Sequence, residues 1–495
     1  MNHLAGQVAQ NQPEEPALCV DVDGTLLRTN LLFESFLSFA KQKTLLLPLV
    51  PFWLMRGKAH LKRRFARSVT LKNAHLTVHQ HLMEFLRSEQ ASGRRVVLCS
   101  GSDEELLRRI AKQLSLSVEV LGSDGTVNLT GVNKARSLVE RFGVRGFDYA
   151  GNSRDDLPIW NQARHAIVVN ASRSVQKASQ QQGNVETVLP RTNGMFSALL
   201  RVIRPHQWIK NALVYLPLLT SHNFLHLNLV LKATIAFVAM CLSASSVYVI
   251  NDLADIESDR NHEVKRRRPF ASGDLSIPLG LVLGPLLFVS GICVSLTLPR
   301  TATMLLLFYA GLALTYTFWL KQRLLADVIG LSLLYTVRIL LGGSATSILV
   351  SPWLLAFSLF LFLSLAFGKR VTEILRITAE AQGGMSGRAY LSTDTAILAS
   401  LGAVSGYMAC LVLSFYISSD NVRLLYPHPT WLWLLLPPLL YWIGRVWLKT
   451  MRRKMSDDPI LFLAKDFATY ITLAVIVVVL LLAMVCPFDI PGIAD

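Results

Sequence analysis

Acid is scarce in this sequence relative to base. Its 495 residues hold 33 Asp and Glu against 49 Lys and Arg, a formal net charge of +16. Cysteine is also scarce. The six (Cys19, Cys99, Cys241, Cys293, Cys410, Cys486) show no CxxC or zinc-type spacing. That pattern implies no disulfide framework, and the thiols read as small buried side chains in apolar runs. The opening residues, MNHLAGQVAQNQPEEP, lack a basic segment followed by an apolar core, so a tail over residues 1–16 is expected rather than a secretory leader. The surplus of base does not point to nucleic acid. Much of it sits in short loops between long apolar runs, where membrane topology and anionic phosphate substrates account for it better.

Hydrophobic residues make up 52% of the chain but are unevenly spread. Residues 1–200 have ordinary globular texture. Beyond about 208, runs long enough to cross a bilayer dominate. Nine spans are expected, near 211–222, 229–250, 277–298, 302–320, 325–342, 350–368, 396–417, 431–448 and 468–487. Lys265–Arg268, Lys321, Arg323, Lys369, Arg370, Arg376, Arg388 and Arg452–Lys454 fall in one set of loops, and little beyond Arg300 and Arg423 in the other. The basic side is expected to be cytoplasmic. The protein then reads as a multi-pass protein of the inner membrane, with an odd span count placing the C-terminus outside.

In the first part, short apolar strands end in polar residues and alternate with helical stretches. Ala17–Val20 leads to Asp21-Val22-Asp23-Gly24-Thr25, and Arg95–Cys99 to Ser100-Gly101-Ser102. Gly131-Val132-Asn133-Lys134 opens a helix, and Phe147–Ala150 leads to Gly151-Asn152-Ser153-Arg154-Asp155-Asp156. This alternation predicts a parallel α/β sheet with its ligand at the carboxyl ends of the strands. Together the four pieces resemble the haloacid-dehalogenase (HAD) phosphatases. The resemblance implies Asp21 as nucleophile and Asp23 as general acid/base. It implies Ser100 and Lys134 on the phosphoryl oxygens, and Asp156, with Asp155, beside Asp21 and Asp23 in a Mg²⁺ site. Asn152 stands where many relatives carry an acid, and its carbonyl oxygen suits a hard cation. A HAD-like domain is expected over 17–175, with a helical cap at about 30–90 and a linker over 176–200. Inside the cap, Thr44–Met55 is strongly apolar, carries Pro48 and Pro51, and precedes a basic run from Arg56 to Arg67. It suits either a segment lying on anionic lipid or a packed cap interior.

Asn251–Gly273 lies between two of the apolar runs and gathers Asp252, Asp255, Glu257 and Asp259 ahead of Lys265–Arg268. Spacings of three and four put Asp252, Asp255 and Asp259 on one helical face. Such a face repels itself unless a cation neutralises it, and acids beside Lys and Arg suit a magnesium diphosphate. With Arg204-Pro205-His206-Gln207-Trp208-Ile209-Lys210-Asn211 and Tyr316-Thr317-Phe318-Trp319-Leu320-Lys321, this box resembles the UbiA superfamily of intramembrane prenyltransferases, over about 201–490. The resemblance implies an all-α membrane domain in which Asn251, Asp252, Asp255 and Asp259 bind Mg²⁺-diphosphate and Lys265 and Arg268 bind phosphate oxygens. Lys210, Asn211, Tyr316 and Lys321 would contribute to the substrate site. Where a second acidic box is usual, Lys369, Arg370 and Glu373 stand, with Arg388 and Tyr390 later. The added positive charge suits a second phosphorylated substrate. It resembles the branch of decaprenyl-phosphate phosphoribosyltransferases, which join a polyprenyl phosphate to phosphoribosyl diphosphate. Asp327, Asp457, Asp458, Lys465 and Asp466 are further candidates for the same mouth, Asp327 equally a helix N-terminal stabiliser. The expected protein is a two-headed enzyme: a Mg²⁺-dependent transferase, and a phosphatase acting on its product's spare phosphate. An aromatic prenyltransferase of quinone type and a non-catalytic lipid carrier or transporter remain as alternatives. Oligomeric state is open.

Overall fold

The computed structural model describes residues 15–69, 76–124, 126–189, 194–379, 390–455, 459, 462 and 465–486. The chain forms two units, one of Met1–Ile203 with Val249–Leu283, the other of Arg204–Tyr248 with Gly284–Asp495.

The first unit is built on six parallel strands: β1 Ala17–Asp21, β2 Val96–Asp103, β3 Glu119–Ser123, β4 Phe147–Gly151, β5 Ala166–Val169 and β6 Val185–Leu189. Their spatial order is β3-β2-β1-β4-β5-β6, with β1 pairing to β2 (Val20 opposite Leu98) and to β4 (Val20 opposite Ala150). Strand alternation explains the two cores. Leu18, Val20, Val96, Leu98 and Ile167 face one layer, and Cys19, Val97, Cys99, Tyr149 and Val168 face the other. Both faces are covered by helices, so the inner strands read as unbroken apolar runs. The chain reverses direction across the sheet between β1 and β4, and a crevice opens there at the strands' carboxyl ends.

A helical cap follows β1. Its α1 (Leu31–Gln42) starts at Asn30, whose side chain accepts from the Leu32 amide. A 3₁₀ turn, Thr44–Leu49, leads into α2 (Val50–Met55) and then α3 (Lys58–Ser68). The expected linker over 176–200 contains more structure than its polar composition suggested. It holds the end of the helix Arg173–Gln180, all of β6, and most of the helix Met195–Ile203. β6 pairs with β5 from Ala166 opposite Val185 to Val169 opposite Leu189, so the sheet continues past residue 175.

The segment 249–283 also belongs to this first unit. Arg260 donates to Glu34 of α1 at 2.5 Å, with both side chains below 10% exposed. Thr29 donates to the same Glu34 oxygen at 2.5 Å. Thr77 Oγ1 and Arg260 Nε both donate to the Ala271 carbonyl, and Asp274 pairs with Arg28 and Arg201.

Among the described residues, eight helices are long and apolar enough to cross a membrane: Leu227–Ala254, Ile277–Ser295, Arg300–Gln322, Ala326–Thr346, Pro352–Arg376, Ser392–Ile417, Pro429–Met451 and Phe467–Val485. The expected ninth, 211–222, is not one of them. It falls in the 3₁₀ stretch Pro205–Tyr215 and the short helix Leu216–Thr220, where Pro217 occupies an early position. In the second unit Ala326–Thr346 is the inner helix, 67% buried, against 17% for Phe467–Val485. Its Gly342 sits against the Val214 backbone so closely that any Cβ would collide. Small residues of this kind let helices approach in lipid.

Candidate active sites

The crevice of the first unit collects the HAD-type residues. As β1 ends, the chain turns sharply, with Leu26 N bonded to the Asp21 carbonyl and Leu27 N to that of Val22. Gly24 takes φ +82°, and a side chain there would run into the Asn152 amide, so glycine is needed twice over. The turn presents Asp21, which accepts from Lys134 Nζ at 2.6 Å and from Thr25 Oγ1 at 3.1 Å. Lys134 sits in the first turn of the helix Val132–Phe142, only 5% exposed. It also donates to the Tyr149 hydroxyl at 3.0 Å, which donates to Asp156 at 2.9 Å. The other Asp156 oxygen is held by the amides of Asn152 and Ser153 and the Ser153 hydroxyl. Asp23 accepts from Ser100 Oγ at 2.5 Å, Ser102 Oγ at 2.8 Å and the Leu31 amide at 2.6 Å. Asp155 is exposed at the rim.

Four expected residues, Asp21, Asp23, Lys134 and Asp156, thus meet in one cavity of about 540 Å³, with Asp155 and Asn152 at its lip and Ser100 bonded to Asp23. Burial pushes the Asp21 carboxyl up to about 7, with Lys134 pulling it down and Asp156 and Asp23 pushing it up. Burial works against the Lys134 charge, but Asp21 and Asp156 hold its pKa above the ordinary lysine value. Among the described residues no three His, Cys, Asp or Glu side chains converge as a ready-made metal cage. Mg²⁺ does not require one, because it takes one or two carboxylates and completes its shell with water and substrate phosphate. The crowded carboxylates around Asp21, all oxygen donors, fit such a cation. Four partners escaped the sequence reading. Thr25 and Ser102 stand inside the quoted motifs without an assigned role. Tyr149 looks like strand core. Lys62 of α3 lines the same cavity, donating to Gly101 O at 2.6 Å and Asn128 Oδ1 at 2.9 Å. Burial lowers its pKa.

The acidic box lies at the end of the helix Leu227–Ala254 and in the short helix Ile256–Arg260. Helical hydrogen bonding carries through the junction (Asp255 N to Asn251 O, Asp259 N to Asp255 O). Arg268 Nη1 bridges Asp252 at 3.2 Å and Asp259 at 2.7 Å, so the expected common face exists for that pair. Asp252 and Asp259 are buried, Asn251 and Asp255 half-buried, and Lys265 is exposed. Burial raises Asp259 to about 6 despite Arg268.

In the second unit, Arg370 is fully buried. Its Nε lies 2.5 Å from Asp327, its Nη1 donates to Glu373 at 2.5 Å, and its Nη2 donates to the Tyr316 hydroxyl at 2.8 Å. Tyr390 donates to Asp327 at 2.5 Å. Asp327 is therefore the anchor of an ionic network, beyond a helix-end charge. Lys321 and Lys369 are half-buried. Lys210 and Asn211 are buried in the 3₁₀ stretch. Asn211 Oδ1 accepts from Arg338 at 2.9 Å, and Arg338 also donates to the Tyr309 hydroxyl at 2.9 Å and the Leu334 carbonyl. Arg338 escaped the sequence reading, although a charge in mid-span signals such a buried group. Asp466 caps the helix Phe467–Val485 and pairs with Arg445 and Lys449. Arg388, Asp457 and Asp458 fall outside the described residues.

The profile of the UbiA prenyltransferase family matches residues 213–470. The chain belongs to that family. Residues 18–160 match the haloacid dehalogenase-like hydrolases, so a HAD-like domain precedes the UbiA domain. An uncharacterised protein, y4nM, of Sinorhizobium fredii is 32% identical over 95% of this chain and 91% of its own. The nodulation protein NoeC of Azorhizobium caulinodans is 30% identical over 59% of this chain and 94% of its own. The decaprenyl-phosphate phosphoribosyltransferase of Mycolicibacterium smegmatis is 35% identical over 36% of this chain and 58% of its own. The protein is a multi-pass membrane enzyme of the UbiA type, related to those phosphoribosyltransferases and carrying a fused HAD-like domain.

Proposed function

We propose that the membrane domain joins a polyprenyl phosphate to phosphoribosyl diphosphate and that the HAD domain then removes the 5-phosphate of the product. One observation carries the coupling. The cavity around Asp21 is walled on one side by Leu275, Ile277, Pro278 and Leu279, the approach to and first turn of the apolar helix Ile277–Ser295. A phosphatase pocket with that wall suits a phosphomonoester carried on a lipid. The buried Arg370 and Arg338, and Arg268 between Asp252 and Asp259, support anionic substrates for the transferase.

In the transfer step a prenyl phosphate oxygen attacks the anomeric carbon, and the bond to diphosphate breaks with the electron pair leaving on diphosphate. Asn251, Asp252, Asp255 and Asp259 would hold Mg²⁺, which screens the diphosphate charge when bound. Lys265 and Arg268 are assigned to phosphate oxygens, and Lys210, Asn211, Tyr316, Lys321, Lys369, Arg370 and Glu373 to the substrate site. In the second step the Asp21 carboxylate attacks phosphorus while Asp23 gives a proton to the departing ribose oxygen. Water then cleaves the aspartyl phosphate, and Asp23 takes up its proton. Asp21, Asp23, Asp155 and Asp156 would hold the Mg²⁺ of this site, and Lys134 and Ser100 are the groups for the phosphoryl oxygens. The basic loops support a cytoplasmic position at the inner membrane for both sites.

The test is purified protein in detergent with Mg²⁺, labelled phosphoribosyl diphosphate and a long-chain polyprenyl phosphate. Label is expected in the lipid phase and lost in Asp255→Asn. Asp21→Asn is expected to accumulate a lipid heavier by one phosphate. Prenylation of an aromatic acid from a prenyl diphosphate, with no labelled lipid, would replace this reading with the quinone-type one.

A further inference from the structure

The cap carries a surface that neither proposed reaction uses. Of the apolar run Thr44–Met55, no side chain is fully buried. Its inner face is anchored, with Leu47, Val50 and Trp53 packed on Phe39, Leu61, Phe65 and Val69. Trp53 meets Phe39 edge-on at 5.4 Å. Its outer face is bare. Leu45 is 95% exposed, Met55 84% and Phe52 64%. Large apolar side chains grouped this way mark an interaction site.

The charge around them selects the partner. From Ser35 to Met83 the sequence contains no Asp or Glu, but it contains Lys41, Lys43, Arg56, Lys58, Lys62, Arg63, Arg64, Arg67 and Lys72. Lys43 and Arg56 bracket the apolar run directly. An apolar ridge framed by base and free of acid complements a bilayer bearing anionic headgroups. There the ridge enters the acyl boundary while Lys and Arg stay at the phosphates. An acidic protein surface would complement the bases but leave Leu45, Phe52 and Met55 in water.

We infer that Leu45, Phe52 and Met55 dock the cap on the anionic lipid surface. The consequence reaches the cavity, because α2 continues through Gly57 into α3, which delivers Lys62 to the cavity beside Asp21. Docking fixes the cap where a membrane-borne substrate is presented.

Met55 is its own probe. Full-length protein in nanodiscs of phosphatidylcholine and phosphatidylglycerol is exposed briefly to hydroxyl radicals, and methionine oxidation is read by mass spectrometry. Met195, 52% exposed in the same unit, is the internal reference. Docking predicts that Met55 oxidises several-fold more slowly than Met195 despite its greater exposure. It also predicts that Leu45→Glu with Phe52→Glu restores the Met55 rate. Both positions are surface ones, so folding is kept. Fast oxidation of Met55 in the nanodiscs overturns the inference. Slow oxidation that persists in the double variant, whatever the phosphatidylglycerol content, also overturns it and marks a protein occupant such as a second copy of the chain. No outcome depends on turnover at either site.

Discussion

Asp148 shows how a single residue can hold the HAD-like sheet together. It lies on β4, 1% exposed, and accepts from Arg94, from Arg164 at 2.9 and 2.6 Å, and from the His165 amide at 3.1 Å. Burial alone would raise its pKa, but the hydrogen bonds from Arg164 and Arg94 outweigh it and hold the carboxyl below the usual range. A depressed native pKa gives stability that is present above the unfolded value of about 3.9 and is lost as pH falls through the native one. Asp148→Asn should therefore cost about 1.5–3 kcal/mol near neutrality, the usual size for hydrogen bonds to a charged group. It should also flatten the loss of stability below about pH 4. Denaturant unfolding followed across pH checks both. Nothing local in the sequence marked Asp148, because its partners come from the starts of two other strands, β2 and β5.

At the scale of elements, the contact between α1 and the acidic-box segment rests on one buried ion pair. Glu34 and Arg260 are 226 positions apart, and Thr29 completes the Glu34 shell. Removing one partner of a buried pair leaves an uncompensated charge and costs about 3–5 kcal/mol, whereas replacing both by apolar groups is often neutral. Arg260→Met alone should loosen the segment 249–283 from the HAD-like domain, seen as faster proteolysis after Arg266–Arg268. Glu34→Leu with Arg260→Met should recover most of the protection. If the single and double variants are cut alike, the pair contributes no more than its surroundings. The two residues sit within known motifs' neighbourhoods, but no periodicity links a cap helix to a loop between membrane spans.

For the whole molecule, the position of the first domain's end decides what can fold alone. A chain ending at residue 175, the boundary expected from composition, lacks β6 and leaves β5 as a bare parallel edge. Such an edge invites pairing with other chains. A chain ending at 203 keeps β6 and the helix Met195–Ile203. The shorter chain should aggregate on expression and the longer should stay soluble, as size-exclusion chromatography would show. Gln-rich composition over 176–184 resembled a linker because the strand Val185–Leu189 is short and half-exposed.

Local signals were enough for much of this protein. The strand ends at Asp21 and Gly151, the Ser100 motif within β2, the opening of the Lys134 helix, the acidic box and the membrane runs are all written in short stretches. The chemistry of those stretches, turn glycines, terminal acids and apolar length, does not depend on distant residues. The HAD-like and UbiA-type architecture followed from them. Tertiary structure alone decided which side chains complete each site. Tyr149 links Lys134 to Asp156, Lys62 reaches in from the cap, Arg338 meets Asn211 across 127 positions, and Asp327 anchors Arg370. Each of these contacts joins groups that sequence spacing cannot relate. A buried polar group must find its partner wherever folding brings one, and the cost of leaving it without one selects the packing.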